Sequence, residues 1–131
     1  MFSFGKKKQP PIKSLMAAGT RVKGDVEFAD GLRLDGHVDG SVIGLPGRAS
    51  LLVVGETAHV MGDLRADHVI VNGHVQGTVH ATELLELQPK ARIDGDVHYA
   101  ALEMHQGAVI QGVLRPLVAE DAPRLPAPNS P

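Results

Sequence analysis

Cysteine and tryptophan are absent from this 131-residue chain, and its aromatics are limited to Tyr99, Phe2, Phe4 and Phe28. Without cysteine there is no disulfide framework, no thiolate metal site and no cysteine nucleophile, which suits a reducing cytoplasm. With so few rings, the core must be filled by Val, Leu, Ile and Ala. No apolar run approaches the roughly 20 residues that span a bilayer. The early lysines are not followed by the apolar stretch of a secretory signal, and no G-x-x-x-x-G-K-[ST] phosphate loop occurs. A broad basic face is missing as well. Residues 14–114 carry 7 basic and 13 acidic side chains, whereas residues 1–13 carry Lys6, Lys7, Lys8 and Lys13 with no acid. An acidic body with a short basic end argues against a nucleic-acid partner.

The length allows one domain. Pro116, Pro123, Pro126, Pro128 and Pro131 lie among small and polar residues in 115–131. That composition buries too little apolar surface to order itself, so the segment is expected to be a disordered tail. Residues 1–17, with Pro10, Pro11 and the lysines, are expected to be a second disordered tail. The domain is expected over 18–114.

That middle is repetitive. VKGDV (22–26), VDGSV (38–42), VMGDL (60–64), VQGTV (75–79), IDGDV (93–97) and IQGVL (110–114) recur with glycine spacings of 16, 22, 15, 18 and 17. The spacing of 22 contains Leu45-Pro46-Gly47-Arg48-Ala49-Ser50, which reads as a loop insertion. Aligned on Gly24, Gly40, Gly62, Gly77, Gly95 and Gly112, the residue two before is always Val or Ile, and the residue two after is always Val or Leu. The residue four before is Thr, Gly or Ala. Odd offsets are mostly polar: Arg21, His37, His59, His74 and Arg92 before, and Asp25, Ser41, Asp63, Thr78 and Asp96 after. Alternation with period two indicates strands with one buried face, and a fixed short period indicates stacked units. The expected fold is all-β, a single-domain parallel β-helix of about five to six coils, roughly 25–30 Å tall at ~4.8 Å per coil. A second strand precedes each unit (Leu32/Leu34, Leu52/Val54, Val69/Val71, Leu85/Leu87, Leu102/Met104), ending either six or eight residues before the glycine.

The G-x-V-x-G-[DST]-V pattern, complete at 36–42 and 73–79, resembles that of the bactofilins, small bacterial cytoskeletal proteins. The opening Met1-Phe2-Ser3-Phe4-Gly5-Lys6-Lys7-Lys8 is similar to the membrane-targeting peptide many of them carry. The resemblance implies a right-handed β-helix, nucleotide-independent assembly into non-polar filaments, and a cytoplasmic location on the inner face of the membrane. It also implies scaffolding of cell-shape or cell-wall (peptidoglycan) machinery, with cell-wall enzymes or other bactofilins as partners beside the chain itself.

Membrane contact is therefore expected from Met1, Phe2, Phe4, Lys6, Lys7 and Lys8. Polymer contact is expected from the last coil, where Val109 and Val113 replace polar outward residues and Leu102, Met104, Ile110 and Leu114 lie on the inward phase. The stacked His37, His59 and His74 could bind a metal, but no cysteine joins them and arginines continue the column, so a solvated ladder is the better reading. Asp25, Asp63, Asp94 and Asp96 read as a charged outer face rather than as acid/base pairs. No catalytic residue, metal or cofactor is expected. The alternative is a hexapeptide-repeat acyltransferase with a left-handed β-helix. Its strict six-residue aliphatic period does not occur here, and its protruding active-site loop is lacking.

Overall fold

The computed structural model describes residues 10–117. Their sixteen strands form six coils of three strand segments each, two of the strands being shared between neighbouring coils. The first coil holds β1 (Ile12–Met16), β2 (Arg21–Lys23) and β3 (Val26–Phe28), and the second β4 (Gly31–Leu34), β5 (His37–Asp39) and β6 (Val42–Gly44). The third holds β7 (Leu51–Val54), β8 (His59–Met61) and the start of β9 (Leu64–Val71). The end of β9, β10 (His74–Gln76) and the start of β11 (Val79–Leu87) make the fourth. The fifth is the end of β11, β12 (Arg92–Asp94) and β13 (Val97–Tyr99); the sixth is β14 (Leu102–Met104), β15 (Val109–Gln111) and β16 (Leu114–Pro116).

Every pairing between coils is parallel, so the chain is a three-faced parallel β-solenoid. The second face is a six-stranded sheet in the order β15-β12-β10-β8-β5-β2. The first and third faces belong to one larger sheet, because β9 and β11 run unbroken around the corner between them. The aliphatic columns of the sequence form the core: Val38, Val60, Val75 and Ile93 line it from the second face, and Val42, Leu64, Val79 and Val97 from the third. The run 45–50 leaves the solenoid as a loop between β6 and β7, as its spacing indicated.

The two connection lengths correspond to two corner geometries. Where eight residues separate the second strand from the glycine, a β-turn intervenes. The Thr20, Ala58, Ala91 and Ala108 amides donate to the Ala17, Gly55, Gln88 and His105 carbonyls at 3.0, 3.0, 2.9 and 3.2 Å. Where six separate them, the chain turns abruptly through Asp35-Gly36 or Asn72-Gly73, and the glycine sits against the turn beneath. A Cβ on Gly36 would lie 2.4 Å from the Thr20 carbonyl oxygen, and one on Gly73 2.3 Å from that of Gly55.

Between the second and third faces the packing is tighter still. A Cβ on Gly40 would come within 2.3 Å of the Gly24 carbonyl oxygen; Gly62 would approach Gly40 to 2.2 Å, Gly77 would approach Gly62 to 2.2 Å, and Gly95 and Gly112 would approach the glycines below them to 2.1 Å. The glycine column is therefore a stacking contact of backbone on backbone, and a methyl group does not fit.

Both expected domain limits move outward. Within the segment expected as the tail 1–17, β1 forms and pairs with β4. Its last residue, Met16, stands eight before Gly24, the same offset as Val54, Leu87 and Met104 before theirs, and it packs against the core. The two prolines obscured this strand, but they precede it and remove no hydrogen bond from it. At the other end β16 runs past residue 114 to Pro116, which pairs with Tyr99. Proline is tolerated there because no strand among the described residues follows the last coil to require its missing N–H.

Gly62→Ala separates crowding from backbone conformation, since Gly62 has no positive φ, whereas Gly47 has φ +94° with nothing within 4 Å. Denaturant unfolding followed by circular dichroism should show a loss of about 3 kcal/mol for Gly62→Ala. For Gly47→Ala the loss should be about 1 kcal/mol.

Candidate assembly interface

At four of the six corner glycines the amide of the following residue donates to a side chain on the coil below. Asp25 Oδ1 accepts from the Ser41 N–H at 2.9 Å, and Ser41 Oγ from the Asp63 N–H at 3.3 Å. Asp63 Oδ1 accepts from the Thr78 N–H and Asp96 Oδ1 from the Val113 N–H, both at 2.9 Å. The Asp/Ser/Thr column is thus a set of short side-chain acceptors serving backbone donors, a role the sequence reading of a solvated charged face missed. The Val113 hydrogen bond holds the Asp96 carboxyl below its ordinary range, assisted by the Arg115 guanidinium and opposed by desolvation. At Val113 the acceptor column ends, because valine offers the next coil no oxygen.

Burial along the columns shows what the coil ends lack. Val38, Val60, Val75 and Ile93 are sealed, yet Val22 and Ile110, in the same column, are only half-buried. Val42, Leu64, Val79 and Val97 are fully buried, whereas Leu114 is 45% exposed. Among the described residues the core is open at both ends. The structure brings Leu102, Met104, Val109, Ile110, Val113 and Leu114 together on the final coil. Met104, Val109 and Val113 are exposed, while Leu102 and Ile110 pack partly against the core. The first coil exposes Ile12 and Leu15. Met1, Phe2, Phe4, Lys6, Lys7 and Lys8 lie outside the described residues.

The histidine column stacks as its register required. His37 and His59 have ring centroids 5.4 Å apart, and His59 and His74 are parallel at 4.7 Å. His59 Nε2 meets Gln76 Oε1 at 3.0 Å and His74 Nε2 meets Asp94 Oδ2 at 2.9 Å, so these nitrogens are engaged by side chains within the sheet. A second pair, His80 and His98, stacks at 5.3 Å on the third face. Asp94 therefore belongs to the second face, whereas Asp96 belongs to the corner ladder. Glu86, Glu103 and His105 bring three ligand-type atoms within 4.8 Å of one another, with His105 Nε2 3.3 Å from Glu86 Oε2. The shared register of Glu86 and Glu103 was available from the sequence. Asp30, in the left-handed region at φ 64°, bridges Lys13 at 3.3 Å and Arg48 at 3.0 Å, tying the insertion loop to the first coil.

A straight stack of near-identical coils with an open core at each end defines a parallel β-solenoid of the end-exposed kind. The bactofilin family profile, described as polymer-forming cytoskeletal, matches residues 14–115, and the chain belongs to the bactofilin family. The cryo-EM reconstruction of Thermus thermophilus bactofilin double helical filaments is similar at 32% identity and a TM-score of 0.69, covering 78% of this chain and 99% of that one. No match was found among curated proteins. The family is a structural, cytoskeletal one, which sets the acyltransferase alternative aside.

Asp63→Ala should lower stability by about 1 kcal/mol through loss of the acceptor for Thr78, and Asp63→Asn should retain most of it. Because the native Asp96 carboxyl is more acidic than its ordinary 3.8, its contribution is complete above that pH and is lost as the pH falls through the lower native value. A carboxyl NMR titration should place the Asp96 midpoint below 3.8, with the Val113 amide shift following it. A midpoint at or above that value would refute the assignment.

Proposed function

We propose that this chain assembles end to end, without nucleotide or metal, into two-stranded filaments on the inner face of the cytoplasmic membrane, and there positions cell-shape or cell-wall machinery. The observation that carries the reading is the open core at both ends of the solenoid. A half-exposed aliphatic side chain gains about 1 kcal/mol on burial, so the four exposed apolar residues of the last coil supply only about 4 kcal/mol. That is at the bottom of the roughly 4–15 kcal/mol cost of association. The free edges of β14, β15 and β16 must add hydrogen bonds across the junction.

Like end on like end is the favoured arrangement. In head-to-tail stacking Val113 would lie beneath the corner amide of Asp25 and offer it no acceptor, interrupting the ladder at every junction. The two-stranded form is supported by the similar Thermus bactofilin, whose filaments are double helical. The membrane contact falls to the opening peptide. Each Lys near an anionic surface contributes roughly 1 kcal/mol and each buried Phe about 1.5–3 kcal/mol. A single copy binds weakly, and a filament displaying many copies binds firmly.

Pelleting in EDTA without nucleotide should recover the polymer. Ile110→Arg or Leu114→Arg should keep β-rich circular dichroism but elute as monomer or dimer, because each forces an unpaired charge into the junction. Undiminished filaments from both variants would move the contact to the lateral faces. Deleting residues 2–8 should release the polymer from anionic liposomes without shortening it, and liposome binding that survives the deletion would place the anchor elsewhere.

A further inference from the structure

We propose that the outer side of the first face is the surface on which a second copy of this chain lies antiparallel, joining the two strands of the filament; this rests on the filament reading above. Strand alternation sends Leu32, Leu34, Leu52, Val54, Val69, Val71, Leu85 and Leu87 into the core, leaving their neighbours outside. The central outward column of this face, read in register up the solenoid, is Leu15, Arg33, Val53, Ile70, Glu86 and Glu103. His68 and Leu84 flank its middle, half-buried, while Leu51 beside them is buried. This face is therefore apolar at its centre, with a cation towards the N-terminal coil and acids towards the C-terminal coil.

That order is self-complementary about a two-fold axis crossing the face between Val53 and Ile70. In the antiparallel arrangement Val53 meets the second copy's Ile70 and Arg33 meets its Glu86, and only the outermost pair, Leu15 with Glu103, is unmatched. Arg33 already holds Asp35 at 2.9 Å, and Glu86 already receives Gln88 at 3.4 Å and His105 at 3.3 Å. The same operation brings Asp35 opposite the Gln88 amide, so the local partners also match. A parallel arrangement instead sets Arg33 on Arg33, Glu86 on Glu86 and Glu103 on Glu103.

The other two faces do not suit a second copy. The second face would place the column Arg21, His37, His59, His74, Arg92 and Val109 against itself in reverse, with His37 on Arg92 and His59 on His74. The third would do the same with Glu27, Ile43, Arg65, His80, His98 and Arg115, which matches Glu27 to Arg115 but sets Arg65 on His80 at the centre. Each of these faces sets basic or imidazole side chains against one another at its centre, and neither centre is apolar.

Size explains why this contact belongs to the polymer. Six coils at ~4.8 Å and a strand about 12 Å long give a patch of roughly 350 Å² per copy, against roughly 800 Å² per partner in a standard stable interface. Two isolated chains do not hold together through it. Chains already aligned in filaments engage many such patches at once.

The test compares the wild type with Val53→Arg/Ile70→Arg by negative-stain electron microscopy and mass per length. The side chains point outward, so β-rich circular dichroism and pelleting should persist, while the filaments fall to half the wild-type mass per length. Two-stranded filaments from the double variant would overturn the proposal. Wild-type chains that formed no filaments would instead overturn the filament reading on which it rests.

Orientation is read separately, using the absence of native cysteine. Arg33→Cys and Glu86→Cys copies, mixed, polymerised and treated with a short bis-maleimide, should cross-link to each other and not to themselves. Arg33→Cys cross-linking to its own kind, or a mixture that gives no product, would overturn the antiparallel contact.

Discussion

At the corner between the second and third faces, six glycines stack so closely that the carbonyl of each occupies the space a side chain would need on the one above. Once this contact is made, the rise from coil to coil is fixed, and so is the lateral position of each strand over its predecessor. The valines, isoleucines and leucines two residues before and after then fall into columns with no freedom to slip. The amide that follows each glycine is also brought over the same corner of the coil below, where an aspartate, serine or threonine can accept from it. A close backbone approach thus orders the aliphatic core on one side and the polar ladder on the other.

This organisation has no natural terminus. Interior coils are covered above and below, and terminal coils are covered once, so residues of the same kind in the same column pass from full burial at Val42, Leu64, Val79 and Val97 to 45% exposure at Leu114. The final coil departs from the repeat where an ending would. Val113 replaces the acceptor, Val109 replaces the basic or histidine residue, and Pro116 closes the last strand. These changes remove the means of adding another coil in the same sense and leave apolar surface and free strand edges behind. Both follow from the same three residues, at the surface proposed above as the junction.

The sequence carried the solenoid clearly because its signal is repeated: six glycine-centred units in register outweigh any single ambiguous strand, and each column was placed inside or outside correctly. It carried β1 poorly because Ile12–Met16 has no glycine unit of its own and lies beside two prolines. Only the offset of Met16 from Gly24 betrays it. The corner hydrogen bonds were hidden for a different reason. A column of Asp, Ser and Thr fits a solvated surface equally well, and only the positions of the amides above distinguish the two. The alternating connection lengths were visible as numbers, but their meaning, a β-turn against an abrupt glycine corner, required the backbone. The grouping of the six apolar residues on the last coil was legible, since it follows from register alone.

The stacked histidines give a filament of this protein an adjustable line charge. All seven lie within residues 14–114, whose remaining side chains sum to −6, so complete protonation would take that segment of each chain to +1. Spread over a rise of roughly 29 Å per chain, the first state is a polyanion and the second is almost neutral. Parallel rods repel as polyanions at separations up to about the screening length, roughly 8 Å at physiological salt. A polymer of these chains is therefore a polyelectrolyte whose tendency to lie apart from or beside its neighbours is written in two columns of imidazole rings.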